Sequence, residues 1–239
     1  MTRNFLFGLA LCIGLIASTN VLAKTYRDVR SNKTIRVKGF AEEKITSDTA
    51  IWRASVSTQG ADLKTAYNKL QTDQELVLEF LSKNGIPRET VGISPVSKMP
   101  KYKINDKGYA TNEQIGWELS KNYAIESKNV YLVNNIAKNI SSLLSKGVSI
   151  SSFSPEYYFS KLDGLKIDLL AKATANAKER AKALAENSES RVGHLISASQ
   201  GVFQITRPNS TNVSNYGSYD TSTINKAVKA VVTVRYGVD

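Results

Sequence analysis

Cysteine and histidine, the residues most often used in catalytic and metal sites, occur once each in this 239-residue chain, as Cys12 and His194. A lone cysteine cannot form an intramolecular disulfide, and a lone histidine excludes zinc sites that need several histidine ligands. A serine hydrolase triad built on His194 stays open, because the sequence does not show which groups surround the ring. An ordinary surface histidine is the simpler interpretation, and we predict no catalytic residue.

Phosphate-binding motifs are also missing, since the chain contains neither a P-loop nor the glycine-rich turn of dinucleotide-binding domains. Basic residues are plentiful but scattered: the formal net charge is +11, yet no run of four or more occurs. A nucleic-acid binding surface needs a contiguous basic patch, so we predict no nucleic-acid partner. From the missing motifs we also predict no cofactor or metal. Anionic lipid, lipopolysaccharide or cell-wall polymer stays open as an electrostatic partner.

The longest apolar stretch lies at the N-terminus. A short basic start precedes an apolar run over residues 5–17, and small residues follow in Val21-Leu22-Ala23. This order is typical of a secretory signal peptide that is cleaved after Ala23. We therefore predict residues 1–23 as the signal peptide, 24–32 as a polar lead-in and 33–239 as the mature domain.

An uncleaved membrane anchor is the alternative, because residues 4–23 form an uncharged stretch of 20 residues that could just span a bilayer. Polar residues in its last third favour cleavage instead. Lipid attachment at Cys12 is disfavoured, because Leu11 stands where a lipoprotein signal has a small residue. Cleavage would leave 239 − 23 = 216 residues with no thiol and a formal charge of +10, since Arg3 is the only charged residue removed.

Along the rest of the chain, apolar residues recur at two different spacings, which alternate from segment to segment. Period 2 predicts strands over residues 34–40, 50–57, 90–103, 115–125, 148–160, 192–207 and 230–236. Three- and four-residue steps predict amphipathic helices over residues 61–83, 130–144 and 162–187. The predicted order is ββαββαβαββ, which indicates an α+β fold with mostly antiparallel sheet packed against about three helices.

Glycine and proline mark the ends of several elements. Gly85 and Gly147 follow the first two helices, where a left-handed residue is needed. Pro95 and Pro100 interrupt the strand over 90–103, which predicts an edge or bulged strand. The third helix has a stripe of small and apolar residues that would let it approach a sheet closely. This stripe consists of Leu165, Leu169, Ala173, Ala177, Ala181 and Leu184.

Residues 37–52, between the first two strands, contain the acids Glu42, Glu43 and Asp48. Neighbouring residues of a strand point to opposite faces, so Glu42 and Glu43 are poorly placed to work as an acid and base pair. We interpret this stretch as a hairpin with a polar turn, in which Asp48 bonds local backbone N–H groups.

Aromatic residues provide the candidate contact site. Trp52 and Trp117 lie on apolar faces of their strands, which predicts that both pack in the core. Residues 208–224 form a long connection rich in Ser, Thr and Asn, and such a segment is either mobile or functional. Its aromatic residues, Tyr216 and Tyr219, are the candidate contact residues.

Several weak motifs follow one another in order along the chain. They are Val37-x-Gly39, Asp48-x-Ala50, Gln59-Gly60-Ala61 with Ala66, Gly85-Ile86, the alanines at 173, 177 and 181, Leu184-Ala185, and Gly193. In this order and spacing the chain from about residue 33 to 238 resembles the SIMPL-domain family of exported bacterial proteins. That family includes the YggE type and the periplasmic immunogenic protein type.

Two positions depart from the family pattern. Ala41 stands where members often carry a second glycine, and Glu189 stands where the long helix usually meets a glycine. The second departure affects the end of the helix, and we expect Asn187 to take the left-handed conformation instead. Neither departure touches a catalytic position, since the resemblance supplies none.

The resemblance implies an exported periplasmic α+β domain that forms oligomers, in some members ring- or channel-like, with links to oxidative-stress tolerance and no known reaction. Our first functional hypothesis is therefore a non-enzymatic, self-associating scaffold or envelope stress factor. The second is a binding module for an anionic envelope polymer or small ligand, based on the net charge, Tyr216 and Tyr219. A hydrolase built on His194 is the third.

Overall fold

The computed structural model describes residues 14–23 and 33–239. Residues 14–23 are helical and exposed (α1), and they cover the second half of the predicted signal peptide. The predicted basic start and the lead-in over 24–32 lie outside the described residues. No helix in the described ranges combines the length and apolar character needed to cross a membrane.

Three further helices and eleven strands follow in the described part of the chain. The helices are α2 (Leu63–Lys83), α3 (Val130–Asn139) and α4 (Leu162–Glu186), with short 3₁₀ helices at Arg88–Thr90 and Ile140–Lys146. The strands are β1 (Thr34–Thr46), β2 (Thr49–Gly60), β3 (Gly92–Ile93), β4 (Ser97–Ile104), β5 (Ala110–Ser127), β6 (Ile150–Ser152), β7 (Glu156–Tyr158), β8 (Val192–Gln200), β9 (Gln204–Thr206), β10 (Ser218–Tyr219) and β11 (Asn225–Val238).

The predicted α+β class with mostly antiparallel sheet is confirmed, and the element order is more divided than predicted. After α1 the order is ββαβββαββαββββ. Pro95 separates β3 from β4, and Pro155 separates β6 from β7, because proline cannot donate a backbone hydrogen bond to the ladder. The edge-strand prediction for residues 90–103 is confirmed: β4 pairs with β5 alone in the described part of the chain, and its register shifts after Lys101.

The chain divides into two compact units. The first contains the described residues up to Glu42, together with Gly164–Phe203 and Lys229–Asp239. The second contains Glu43–Asp163 and Gln204–Val228. Two sheets are present: one has the strand order β1-β11-β9-β10 with β8 beside β11, and the other has the order β3-β5-β2-β6 with β4 beside β5 and β7 beside β2.

In the second unit, one face of the β2–β5 pair is covered by α2 and α3. The alternation predicted for β2 is confirmed, because Ala50, Trp52, Ala54 and Val56 are all buried. They pack in one cluster with residues of β5 and the two helices. The helical members of this cluster include Ala66, Leu70, Val77, Leu81, Val133 and Ile136.

In the first unit, α4 lies very close to β1. A Cβ added at Gly39 would stand 2.0 Å from the carbonyl oxygen of Ala173 and 2.6 Å from Cβ of Ala177. The predicted small-residue stripe is therefore correct in kind, but its last member is wrong. Ala185 is buried and Leu184 is 54% exposed. The buried residues of α4 continue at four-residue steps to the end of the helix, so the inward face turns gradually around the helix axis.

The hairpin predicted for residues 37–52 is wrong in its pairing. Ser47 and Asp48 do connect two strands, but β1 and β2 belong to different sheets. The backbone N–H groups of this connection bond distant partners, Ser47 to the carbonyl of Ile224 and Asp48 to the carbonyl of Tyr158. Tertiary hydrogen bonds therefore replace the cross-strand bonds that a hairpin would have used.

The predicted helix ends are confirmed at two glycines and corrected at the third helix. Gly85 and Gly147 have φ angles of 87° and 78°. After α4, however, Glu189 is the left-handed residue, with φ 53°, and Asn187 is not. Bonds from Glu189 N to Glu186 O and from Ser190 N to Ala185 O form the Schellman motif, which fixes the left-handed position at residue 189.

The contact between β1 and α4 predicts a large effect of Gly39→Ala. A methyl group there must displace helix backbone, so we expect a loss of about 3 kcal/mol or more in the free energy of unfolding. Gly164→Ala, at an open position of α4, is the matched control and should stabilise by about 0.5–1 kcal/mol. Urea denaturation followed by circular dichroism measures both. Equal stability of the Gly39 variant and the wild type would contradict the close approach.

The end of α4 predicts that Glu189→Gly stabilises the protein, in contrast to Gly39→Ala. Glycine removes the steric cost of the left-handed conformation, so we expect the free energy of unfolding to rise by about 0.5–1 kcal/mol. Asn187→Gly, two residues earlier in the last helical turn, should leave stability unchanged or lower. Thermal and urea unfolding of the two variants test the assignment, which fails if residue 187 is the one that glycine improves.

Candidate functional site

The two candidate contact residues are not brought together by the structure. Tyr219 lies in β10, and its ring is 6.2 Å from the ring of Tyr158, tilted by 34°. Tyr216 precedes the strand and is 98% exposed. Tyr219 therefore packs beside another ring, whereas the ring of Tyr216 is almost fully exposed.

The surface around Tyr219 continues through a polar cluster on β7 and β2. The hydroxyl of Tyr158 donates to Glu156 Oε2 at 3.0 Å, and Arg53 Nη1 donates to the same oxygen at 3.1 Å. The hydrogen bond to Glu156 raises the pKa of Tyr158, while the bond from Arg53 lowers the pKa of Glu156. Tyr158 thus stays protonated as a donor, and the cluster presents a neutral phenol beside an ion pair.

Residues 208–224 are held by more bonds than their composition suggests. The side chain of Gln204 donates to the carbonyl of Ser214 at 2.6 Å and accepts from its N–H at 3.2 Å. The N–H of Asp220 bonds the carbonyl of Ile205 at 2.9 Å, and β10 adds to β9 in parallel. The polar connection is therefore attached to a sheet at its centre and at its end.

A buried lysine at the start of β11 anchors the end of this segment. Lys226 is fully buried, and its ammonium group donates to the carbonyl oxygens of Asp220 and Thr223. Burial lowers the pKa of Lys226, and the carboxylate of Asp220 opposes that shift. Lys226 was not predicted as a buried residue, because a lysine is expected at the surface. Its two-residue spacing from the buried Val228 and Ala230 was the available signal.

The carboxylate of Asp220 organises the turn before Lys226. It accepts hydrogen bonds from Ser222 N at 2.8 Å, from Ser222 Oγ at 2.6 Å and from the hydroxyl of Thr223. Burial alone would raise the pKa of Asp220, but these hydrogen bonds lower it below its usual value of 3.8. Asp220 is therefore a structural carboxylate that stays ionised at neutral pH.

Asp48 has a similar structural role, and the prediction that it bonds local backbone is wrong. Its carboxylate accepts from the N–H of Ser160 at 3.0 Å and from the Ser160 hydroxyl at 2.6 Å, 112 residues along the chain. Burial would raise the pKa of Asp48, but the bonds from Ser160 lower it. Lys128 lies close by and donates to the Thr49 hydroxyl at 2.8 Å.

The other residues considered for chemistry lie apart from this cluster. His194 is exposed on β8. Glu42 is exposed, 4.0 Å from Lys229 Nζ, and no metal-binding group of three or more His, Cys, Asp or Glu occurs in the described ranges. Trp52 is buried as predicted, but Trp117 is only half-buried, with Lys98 Nζ 6.0 Å from its ring centre.

The most distinctive exposed feature is the β4–β5 arm, residues 101–116. β2 pairs with β5 only as far as Trp117, opposite Gly60, while β4 continues beside β5 to the turn. In the described part of the chain the arm is therefore a two-stranded ribbon. It exposes large apolar side chains, namely Tyr102, Ile104, Tyr109 and Ile115.

The family resemblance is confirmed by comparison with known families. The model of the SIMPL family, described as a protein of unknown function (DUF541), matches residues 35–236, and the chain belongs to this family. None of the curated proteins matches the chain. Among solved structures, the chain is similar to an uncharacterized conserved protein from Listeria innocua, with 11% sequence identity, a TM-score of 0.20, and coverage of 83% of this chain and 92% of that chain.

The turn at Asp220 predicts a pH-dependent loss of stability. Its pKa is lowered in the folded state, so its contribution is fully present above the unfolded value near 3.8 and is lost as the pH falls through the lowered pKa. Asp220→Asn should cost about 1–3 kcal/mol at pH 7, because an amide cannot accept all three bonds. The variant should also lose less stability than the wild type between pH 5 and pH 3.

Urea denaturation at several pH values measures this effect. Asp106→Asn is the matched control, because Asp106 is an exposed turn residue whose side chain forms no hydrogen bond among the described residues. It should change stability by less than about 0.5 kcal/mol. A parallel pH profile for wild type and the Asp220 variant would contradict the structural role of the carboxylate.

Proposed function

We propose that this SIMPL-family protein is exported to the bacterial periplasm, self-associates there through the β4–β5 arm, and serves as a scaffold or oxidative-stress protective factor of the envelope rather than as an enzyme. The exposed apolar surface of the arm is the observation that supports the proposal. The export part is based on the signal-like order of residues 1–23. The protective role is based on what the family resemblance implies.

An isolated two-stranded ribbon is at best marginally stable in water, and three or more strands or a packing partner are normally needed. Ile104 is 66% exposed and Tyr109 is 68% exposed, near the tip of such a ribbon. Contact with a second copy would bury these side chains and stabilise the arm at the same time. Self-association is therefore the simplest use of this surface.

The composition of the arm favours packing through its face over pairing through its edge. In β4, Pro100 directly precedes the arm and Lys101 and Lys103 lie in it, and proline and lysine discourage edge-to-edge strand pairing. Lys103 also pairs across the ribbon with Glu113 at 3.0 Å. Tyr102 and Ile104 of β4 are both exposed, and these two side chains provide the apolar contact in the proposed assembly.

Light scattering coupled to gel filtration tests the proposal. We expect the wild type to be an oligomer at micromolar concentration and Ile104→Lys to shift it towards the monomer, because the substitution puts a charge into the apolar contact. Ile167→Lys is the matched control, since Ile167 on α4 is 69% exposed and should tolerate lysine without a change in mass. Circular dichroism confirms that both variants are folded.

Two outcomes would overturn this proposal. A wild-type monomer at micromolar concentration would remove self-association itself. An oligomer that survives Ile104→Lys, or that dissociates only with Ile167→Lys, would move the contact away from the arm.

A further inference from the structure

A groove in the second unit runs between the first turns of α2 and the face of the β4–β5 pair. Its volume is about 460 Å³, and it is lined by Leu63, Lys64, Tyr67, Val96, Lys98 and Leu119. Leu119 is buried and forms the floor, while Leu63, Tyr67 and Val96 are partly exposed. The volume is within the usual range for small-molecule sites, about 300–1,000 Å³.

The lining of this groove combines two chemical characters. Four of its six residues present carbon surface, and the other two are lysines, with no acidic residue among the six. Lys98 forms no ion pair among the described residues, and its ammonium group stands 6.0 Å from the ring centre of Trp117. An anion at Lys98 would therefore meet a cation that has no carboxylate partner within the described ranges.

The acid that precedes the groove residue Leu63 in the chain already has a structural role. Asp62 precedes Leu63 and accepts hydrogen bonds from Thr65 N at 2.9 Å and from Thr65 Oγ1 at 2.8 Å. These bonds, followed by the weaker effect of the Lys64 charge, lower the pKa of Asp62. Asp62 thus caps α2 and leaves the Lys64 ammonium group able to pair with a ligand as well.

We propose that this groove binds an apolar monocarboxylate, with its carboxylate at Lys64 and Lys98 and its hydrocarbon body on Leu63, Tyr67, Val96 and Leu119. A hydrophilic anion would pair with the lysines but leave the carbon surface in water, and a neutral hydrocarbon would leave the ammonium group of Lys98 without a counter-charge. A medium-chain alkanoate satisfies both parts. This site goes beyond self-association, because none of its lining residues belongs to the arm.

Isothermal titration calorimetry with octanoate and with 1-octanol tests this site on the purified full chain. We expect octanoate to bind more tightly than 1-octanol, and its affinity to fall with added NaCl because the ion pairs are partly exposed. The variant Lys64→Met/Lys98→Met should weaken octanoate binding by about tenfold or more and leave 1-octanol binding unchanged. The single variant Lys98→Met should show part of the same loss.

Two controls separate binding in the groove from binding elsewhere on the protein. Lys107→Met removes an exposed lysine of the turn at the tip of the arm and should leave octanoate binding unchanged. Ile104→Lys should also bind octanoate normally, so a failure of self-association and a failure of this site are distinguishable. Vesicles that contain phosphatidylglycerol provide the membrane arm of the test, and we expect no lysine-dependent binding to them.

The proposal is overturned by any of four results. These are no heat of binding with millimolar octanoate, equal affinity for octanoate and 1-octanol, an equal loss in Lys107→Met and in the double variant, and lysine-dependent binding to anionic vesicles without binding of free octanoate. The last result would assign the two lysines to a membrane surface.

Discussion

The close backbone contact between Gly60 and Gly116 determines where the arm begins and where α2 begins. A Cβ at Gly116 would stand 2.5 Å from the carbonyl oxygen of Gly60, and a Cβ at Gly60 would stand 2.6 Å from the N–H nitrogen of Ala66. Three backbone segments therefore meet at positions where no side chain fits. β2 must leave the sheet at this point and turn into α2, so β5 continues with β4 as its only neighbour among the described residues.

The arm and the groove are thus two consequences of one constraint. Beyond Trp117, Tyr102 and Ile104 of the ribbon are exposed. Before that point the same ribbon carries Lys98 opposite Leu119, under the first turns of α2. The two surfaces differ in charge: the arm neutralises Lys103 with Glu113, whereas the groove has no acid among its lining residues. An apolar partner suits the first surface, and an anionic one suits the second.

Hydrophobic periodicity was sufficient to predict the long strands and helices of this fold, but not the division of several strands into shorter ones or their pairing. The buried faces of β2 and α4 follow directly from the spacing of apolar residues, because burial is set by local geometry. Strand pairing depends on distant bonds, so Ser47 bonding to Ile224 was not accessible from residues 37–52 alone. Trp117 was misplaced for a related reason: it alternates correctly, but it is the last residue of β5 that β2 still pairs with, and it is only half-buried there.

The candidate segment over residues 208–224 shows how a polar sequence can be ordered without an apolar core of its own. Burying the ammonium group of Lys226 is costly, and it is tolerated because two carbonyl oxygens and the nearby carboxylate of Asp220 compensate it. The compensation works only if residues 220–223 keep one conformation. This turn comes immediately after β10 in the chain. Tyr219 directly precedes this turn and its ring lies 6.2 Å from that of Tyr158, while Tyr216 lies before the strand and is 98% exposed. The two tyrosines are alike in aromatic character and differ in where they lie relative to the turn that Lys226 anchors.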